Sequence, residues 1–247
     1  MTPAPAAPLI PPATPDPVSP LVSSAGPAVP AARPPKPPPA TWKLIGVLAG
    51  GGAVAGLFLV LAYLGTIGSI TAHKQQVLAD GVREVLGLAP DDAYDELWWK
   101  DDRLHKERPA GATDADRVWL GRRKDGTAVG WAMLSAGSGY ADTIRLIFGW
   151  DAKAKRILAL RVLENKETPG LGDKIGTPPF FARFRGKEAS PDAPLQGVKE
   201  DSTPNAANEV DAITGATVSS RAVLRIVNAG LRRFGPAIEA YGEEANR

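Results

Sequence analysis

The 247-residue sequence contains no cysteine, which removes disulfides, iron–sulfur clusters, thiolate zinc sites and cysteine nucleophiles together. The same absence leaves the redox compartment open. Histidine is nearly as scarce, with only His73 and His105. They lie far apart and lack ligand spacing, so neither a histidine metal site nor a Ser/His/Asp triad is expected, and no catalytic residue or metal ligand is assigned. Nor is there an excess of charge of either sign. The 29 basic and 27 acidic side chains leave a formal net charge of +2, too small a field to gather nucleic acid or anionic lipid. Redox chemistry on this chain therefore requires an organic cofactor.

What the sequence has is strongly partitioned. Residues 1–41 hold 15 of the 24 prolines, much alanine and a single acid, Asp16; such a segment cannot bury a core and is expected to be a disordered tail. From Leu44 to Ile70 no side chain is charged over 27 residues, more than the roughly 20 that cross a hydrocarbon core as a helix. A single transmembrane helix over 42–70 follows. A cleaved signal peptide would have a shorter apolar region at the N-terminus, and that reading is rejected. Arg33, Lys36 and Lys43 before the span outweigh Lys74 and Arg83 after it, which places the tail in the cytoplasm and the domain over 71–247 on the periplasmic or extracytoplasmic side of the inner membrane. Gly46, Gly50, Gly52 and Gly56 put small residues four apart in the span, either as ordinary membrane-helix composition or as a face for a partner helix.

Beyond the span, Val77, Leu78, Val82, Val85 and Leu86 recur at helical spacing, an amphipathic helix continuing from the membrane. Residues 89–116 show no clear element, and the pair Trp98-Trp99 is read as core or interface. Strands are expected over Arg117–Gly121, Thr127–Leu134, Thr143–Gly149 and Arg156–Leu163, the first two joined as a hairpin at Asp125-Gly126. Val223, Ile226, Val227, Leu231 and Phe234 form one stripe of a final helix, with Ser219 and Ser220 as candidate N-caps. The fold class is α+β: an antiparallel sheet between helices at the two ends of one domain.

Several hydroxyls and small residues gather where that last helix begins, in Asp211-Ala212-Ile213-Thr214-Gly215-Ala216-Thr217-Val218-Ser219-Ser220. A helix N-terminus offers unpaired N–H groups and a positive dipole end, which favour phosphate. Ordinary capping by Ser and Thr explains the same pattern.

This ten-residue stretch closely resembles the flavinylation motif of the covalent FMN-binding domain family. The continuation Ser220-Arg221-Ala222-Val223 is similar to that of the G subunits of Rnf-type ion-translocating electron-transport complexes. Upstream, Glu167-Thr168-Pro169-Gly170-Leu171-Gly172-Asp173-Lys174 resembles the family's loop signature, and Gly139-Tyr140 its Gly-Tyr entry. The likeness runs from Val118 to Phe234 and leaves the Pro-rich tail outside. One departure is Thr214, where serine is common in the family; the hydroxyl is kept.

The resemblance implies an electron-carrier subunit of a translocase complex in which FMN is held by a phosphoester to Thr217, an attachment point and not a nucleophile in turnover. Whether the isolated chain is an enzyme is left open. The family's threonine is loaded by a separate flavin transferase that uses FAD and a divalent metal. Asp211, Thr214, Gly215, Ala216, Ser219 and Ser220 would surround the attachment, with Asp211 presenting Thr217 to the transferase. Thr168, Pro169, Gly170, Leu171 and Gly172 would approach the ring, although any exposed turn has such residues. Lys174 is either a solvated charge or a stabiliser of anionic reduced flavin. Other subunits of a membrane redox complex are the implied partners. The alternatives are the C subunit of a sodium-translocating NADH:quinone reductase and a membrane-anchored binding or regulatory module without covalent flavin.

Overall fold

The computed structural model describes residues 41–198 and 206–244. The Pro-rich tail expected over 1–41 lies outside them but for Thr41, the first residue of helix α1 (Thr41–Leu86). By its contacts the chain divides into a unit ending at Phe58 and one beginning at Leu59. In the first unit the apolar side chains of α1 are exposed, among them Val47, Leu48 and Leu57. Among the described residues α1 is the one helix long and apolar enough to cross a membrane. The amphipathic stretch expected after the span is the end of this same helix, because nothing between Ile70 and Val77 breaks it. It stops at Gly87, whose φ of +62° lets the Leu88 N–H reach the Arg83 carbonyl at 2.9 Å, the glycine-terminated closure common at helix ends.

The second unit is built on a six-stranded antiparallel sheet of β1 (Ala93–Lys100), β2 (Arg103–His105), β3 (Arg117–Arg122), β4 (Ala128–Ser138), β5 (Thr143–Asp151) and β6 (Arg156–Glu164), in the order β2-β1-β3-β4-β5-β6. The four expected strands are present and longer than their sequence signals. The segment 89–116, for which no element was expected, supplies β1 and β2. Its acids hid the pattern: Asp95 and Glu96 would discourage an isolated strand, but Asp95 meets Arg122 at 2.7 Å and Glu96 meets Arg117 at 3.5 Å across the β1–β3 pair. The expected Asp-Gly hairpin also differs in detail. Only Gly126 has positive φ, at +82°, and bonds from Gly126 N–H to Arg123 O and from Arg123 N–H to Thr127 O make a three-residue loop closed by a glycine bulge.

Successive strand residues point to opposite faces, and here both faces are covered. Val118, Leu120, Met133, Leu146, Phe148 and Trp150 turn toward α3 (Thr217–Glu244), which buries Val223, Ile226, Val227, Leu231 and Phe234 against them. The alternate residues Trp119, Ala132, Leu134 and Ile147 pack on Val82, Val85 and Leu86 of α1. Trp98 is buried, and Trp99 packs edge-on against Phe234 with the Arg233 guanidinium over its ring. Between β6 and α3 lie a short helix α2 (Pro178–Ala182) and a parallel pair, β7 (Gln196–Val198) with β8 (Glu209–Asp211).

Ser219 and Ser220 do not cap α3. The helix already begins at Thr217, and both serines sit buried in its first turn.

Trp150 is fully buried and its indole N–H donates to the Ala189 carbonyl at 2.8 Å, tying β5 to the segment that follows α2. Trp150→Phe keeps much of the ring but leaves that carbonyl unpaired, and should cost about 1–3 kcal/mol. Urea unfolding of the detergent-solubilised chain, followed by circular dichroism, measures it.

Candidate functional site

Three segments distant in sequence converge at the N-terminus of α3. The turn Ile213–Ala216 is closed by the Ala216 N–H on the Ile213 carbonyl at 2.9 Å, and Gly215 at its third position has a φ of +80°, a conformation that glycine adopts without strain. The turn delivers Thr217 as the first residue of α3. The first bond into the helix is Ser220 N–H to Ala216 O, at 2.9 Å. Among the described residues the N–H groups of Thr217, Val218 and Ser219 donate to no backbone carbonyl, so three donors at the positive end of the helix dipole point outward.

The hydroxyls of this stretch are not equivalent. Ser220 Oγ accepts from the Ile213 N–H at 3.1 Å and so locks the turn to the helix. Ser219 Oγ–H donates to Glu167 Oε2 at 2.5 Å. Thr214 is engaged in an interaction of its own. Thr217 is half-buried, and among the described residues its hydroxyl makes no hydrogen bond. Of the three hydroxyls in the first turn of α3, that of Thr217 is the uncommitted one among the described residues.

Glu167 organises the rest, and sequence reasoning passed over it as a site residue. It is 4% exposed. Its Oε1 accepts from the N–H groups of Tyr140 at 2.9 Å and Ala141 at 3.1 Å, while Oε2 holds Ser219. Burial by itself pushes this carboxyl up. The Ser219 hydroxyl and the backbone N–H groups of Ala141, Tyr140 and Asp142 outweigh burial and hold it below its ordinary value. An acid beside a Pro-Gly turn is commonplace in sequence, and only donors 27 residues upstream and 52 downstream make it a hub. Gly172 fits because it lacks a side chain: a Cβ there would lie 2.9 Å from both Glu167 Cβ and Ser219 Oγ.

The result is a cleft of about 360 Å³, within the size range of small-ligand sites. Of the residues expected to form a site, Thr168, Leu171, Gly172, Gly215, Ala216, Thr217 and Ser219 line it, together with Tyr140, Glu167 and Val218. Tyr140, Leu171 and Val218 are 71%, 50% and 55% exposed, an apolar rim around the free Thr217 hydroxyl. The other expected residues lie elsewhere. Lys174 and Thr214 line a separate depression with Thr177, Phe180 and Arg183. Pro169 and Gly170 form the exposed turn of the loop, closed by Leu171 N–H on Thr168 O. Ser220 is buried, and Asp211 ends β8 with its backbone carbonyl held by Arg183 at 3.1 Å. Asp211 Oδ1 is itself buried without a hydrogen bond among the described residues.

Because the folded carboxyl of Glu167 is shifted down, its contribution is fully present above the unfolded value of about 4.3 and is lost as pH falls through the folded value. Glu167→Gln can keep its amide oxygen on the Tyr140 and Ala141 N–H groups and turn its NH₂ to Ser219 Oγ, but it replaces charge-assisted bonds by neutral ones and should cost about 1–3 kcal/mol at neutral pH. The stability gap between wild type and variant, from denaturant unfolding at pH 7 and at pH 3, should narrow in acid; a gap independent of pH would contradict the ionised hub.

Residues 139–232 match the family model described as the FMN-binding domain, a range that runs from the Gly139-Tyr140 entry through most of α3. Among solved structures, NqrC of Shewanella oneidensis has a TM-score of 0.59 at 18% identity, covering 68% of this chain and 98% of that one; the likeness is one of fold. The G subunit of the ion-translocating oxidoreductase complex of Vibrio vulnificus is 33% identical over 180 residues, 71% of this chain and 80% of that protein. Its counterpart in Cereibacter sphaeroides is 33% identical over 212 residues, 83% and 91% of the two chains. With that identity sustained over most of its length, the chain belongs to the family formed by the G subunits of ion-translocating oxidoreductase complexes.

Proposed function

We propose that the protein is a membrane-anchored electron-carrier subunit of an Rnf-type complex, with FMN joined through a phosphoester to Thr217 Oγ1 by a separate flavin transferase. The observation that carries this reading is the Thr217 hydroxyl at the mouth of the cleft, which makes no hydrogen bond among the described residues while the neighbouring hydroxyls of Ser219 and Ser220 are engaged. Bound there, FMN supplies reversible electron transfer, chemistry that a chain without cysteine cannot obtain from an iron–sulfur cluster.

The residues present fit such a group. The unpaired N–H groups of Thr217, Val218 and Ser219 suit a phosphate at the start of α3. The exposed Tyr140, Leu171 and Val218 offer apolar surface that a flat ring would cover. Glu167, acting through Ser219 and the Tyr140 and Ala141 N–H groups, is a positioning residue that fixes the cleft walls. Gly172 lets the loop close against that carboxylate. Lys174 and Thr214, in the neighbouring depression, are a second layer around the attachment and not its immediate walls, and Asp211 supports the turn through β8. The domain stands on the extracytoplasmic side, with the tail over 1–41 in the cytoplasm and the span over 42–70. A tethered cofactor there keeps a high effective concentration at its site.

Coexpression with a flavin transferase, followed by intact and peptide mass spectrometry, tests the linkage. The peptide containing Thr217 should gain the mass of FMN, Thr217→Ala should abolish the gain, and Thr217→Ser should retain it in part. Flavin that persists in Thr217→Ala would refute the assignment. Protein that is folded but never loaded would favour the binding-module alternative.

A further inference from the structure

A second cavity, of about 420 Å³, lies on the other side of the sheet from α3, where α1 leaves its apolar run. The last residue of that run is Ile70, and the helical residues lining the cavity are Thr71, His73, Lys74, Gln75, Val77 and Leu78. At about 1.5 Å of rise per residue, the cavity occupies the first ~10 Å of helix beyond the end of the span. With the 27-residue run tilted to fit a hydrocarbon core of about 30 Å, this is the depth of phospholipid headgroups beside a membrane helix.

The lining is amphiphilic. Val77, Leu78 and Leu163 give it an apolar, half-buried floor, and the cations Lys74, Arg117 and Arg145 face the carboxylates Asp114 and Glu164. These charges are unevenly satisfied. Arg145 pairs with Glu164 at 3.5 Å. Arg117 has ion-pair contacts with Glu96 at 3.5 Å and Asp114 at 3.8 Å, yet its Nε is buried without a hydrogen-bond partner among the described residues. Lys74 and His73 have neither ion pair nor hydrogen bond among the described residues. Arg117 and Arg145 are thus matched by Glu96, Asp114 and Glu164, and Lys74 is the cation of the lining left without a carboxylate among the described residues.

We infer that this cavity binds the phosphate headgroup of an anionic membrane phospholipid, with Lys74 and Arg117 on the phosphate and the start of an acyl chain over Val77, Leu78 and Leu163. A net charge of +2 gives no long-range pull toward such lipid, so the attraction is local, between the unpaired Lys74 ammonium, with the half-buried Arg117 guanidinium beside it, and a phosphate. The apolar floor, contiguous with the helix that enters the bilayer, selects a lipid over a free anion. A lipid held there would fasten the sheet to the membrane surface at a second point beside α1. The inference rests on a different surface from the Thr217 cleft and stands whether or not that site carries flavin.

The test uses the full chain in mild detergent, titrated with dioctanoyl phosphatidylglycerol and read by native mass spectrometry. One lipid should bind. Lys74→Glu, which changes an exposed unpaired side chain, and Val77→Trp, which fills the floor without changing charge, should each weaken binding roughly fivefold or more. Lys153→Glu, far from the cavity in sequence and exposed, should leave it unchanged, and circular dichroism checks that all variants are folded. Binding that falls with Lys74→Glu but not with Val77→Trp would reduce the site to diffuse surface charge and overturn the inference. So would equal affinity for dioctanoyl phosphatidylcholine, displacement by an equal concentration of inorganic phosphate, or no bound lipid.

Discussion

A buried carboxylate is the constraint on which the site depends. Glu167 is almost wholly removed from solvent, where an ionised carboxyl is costly unless hydrogen bonds replace its water. Its donors come from Tyr140 and Ala141 just before β5 and from Ser219 in α3. The loop, the entry to β5 and the start of α3 are therefore satisfied together or not at all. Ser219 is committed in this way, whereas the nearby Thr217 hydroxyl makes no hydrogen bond among the described residues.

The sheet supplies the rigid frame for that arrangement because both of its faces are covered. On one face α3 buries a continuous stripe, so its N-terminus is held as firmly as its middle. On the other, Val82, Val85 and Leu86 of α1 pack on Trp119, Ala132, Leu134 and Ile147. Between Ile70 and Val82 the chain stays helical, so within this unit the end of the apolar run passes into the sheet-packed helix without a loop.

On the proposed reading this arrangement suits an electron carrier outside the cytoplasm. The absence of cysteine leaves redox chemistry to an organic group, and the proposed covalent bond at Thr217 would prevent its loss. The apolar rim of Tyr140, Leu171 and Val218 remains exposed, an opening that the proposed loading enzyme and redox partners would use. The single span carries no charged side chain between Leu44 and Ile70 and shows no ion path of its own, in keeping with a subunit whose relatives are named as parts of a larger translocating complex.

The sequence by itself determined the membrane helix, because 27 residues without charge have one stable solution in a bilayer. It also determined the strands β3 to β6, whose apolar residues stand out against Gly and Asp turns, and the α3 stripe, whose period is helical. The motif around Thr217 pointed to the start of that helix. Tertiary structure decided what local pattern could not carry. Strand β1 is held by its pairing with β3 and by burial of Leu97 and Trp98, while Arg117 and Arg122 offset its acids, and partners that distant leave no trace in a local window. Ser219 and Ser220, natural caps in sequence, became cross-links once Thr217 opened the helix ahead of them. Glu167 became the hub for the same physical reason: what a carboxylate contributes depends on the donors that surround it after folding, and its donors come from 26 to 52 residues away.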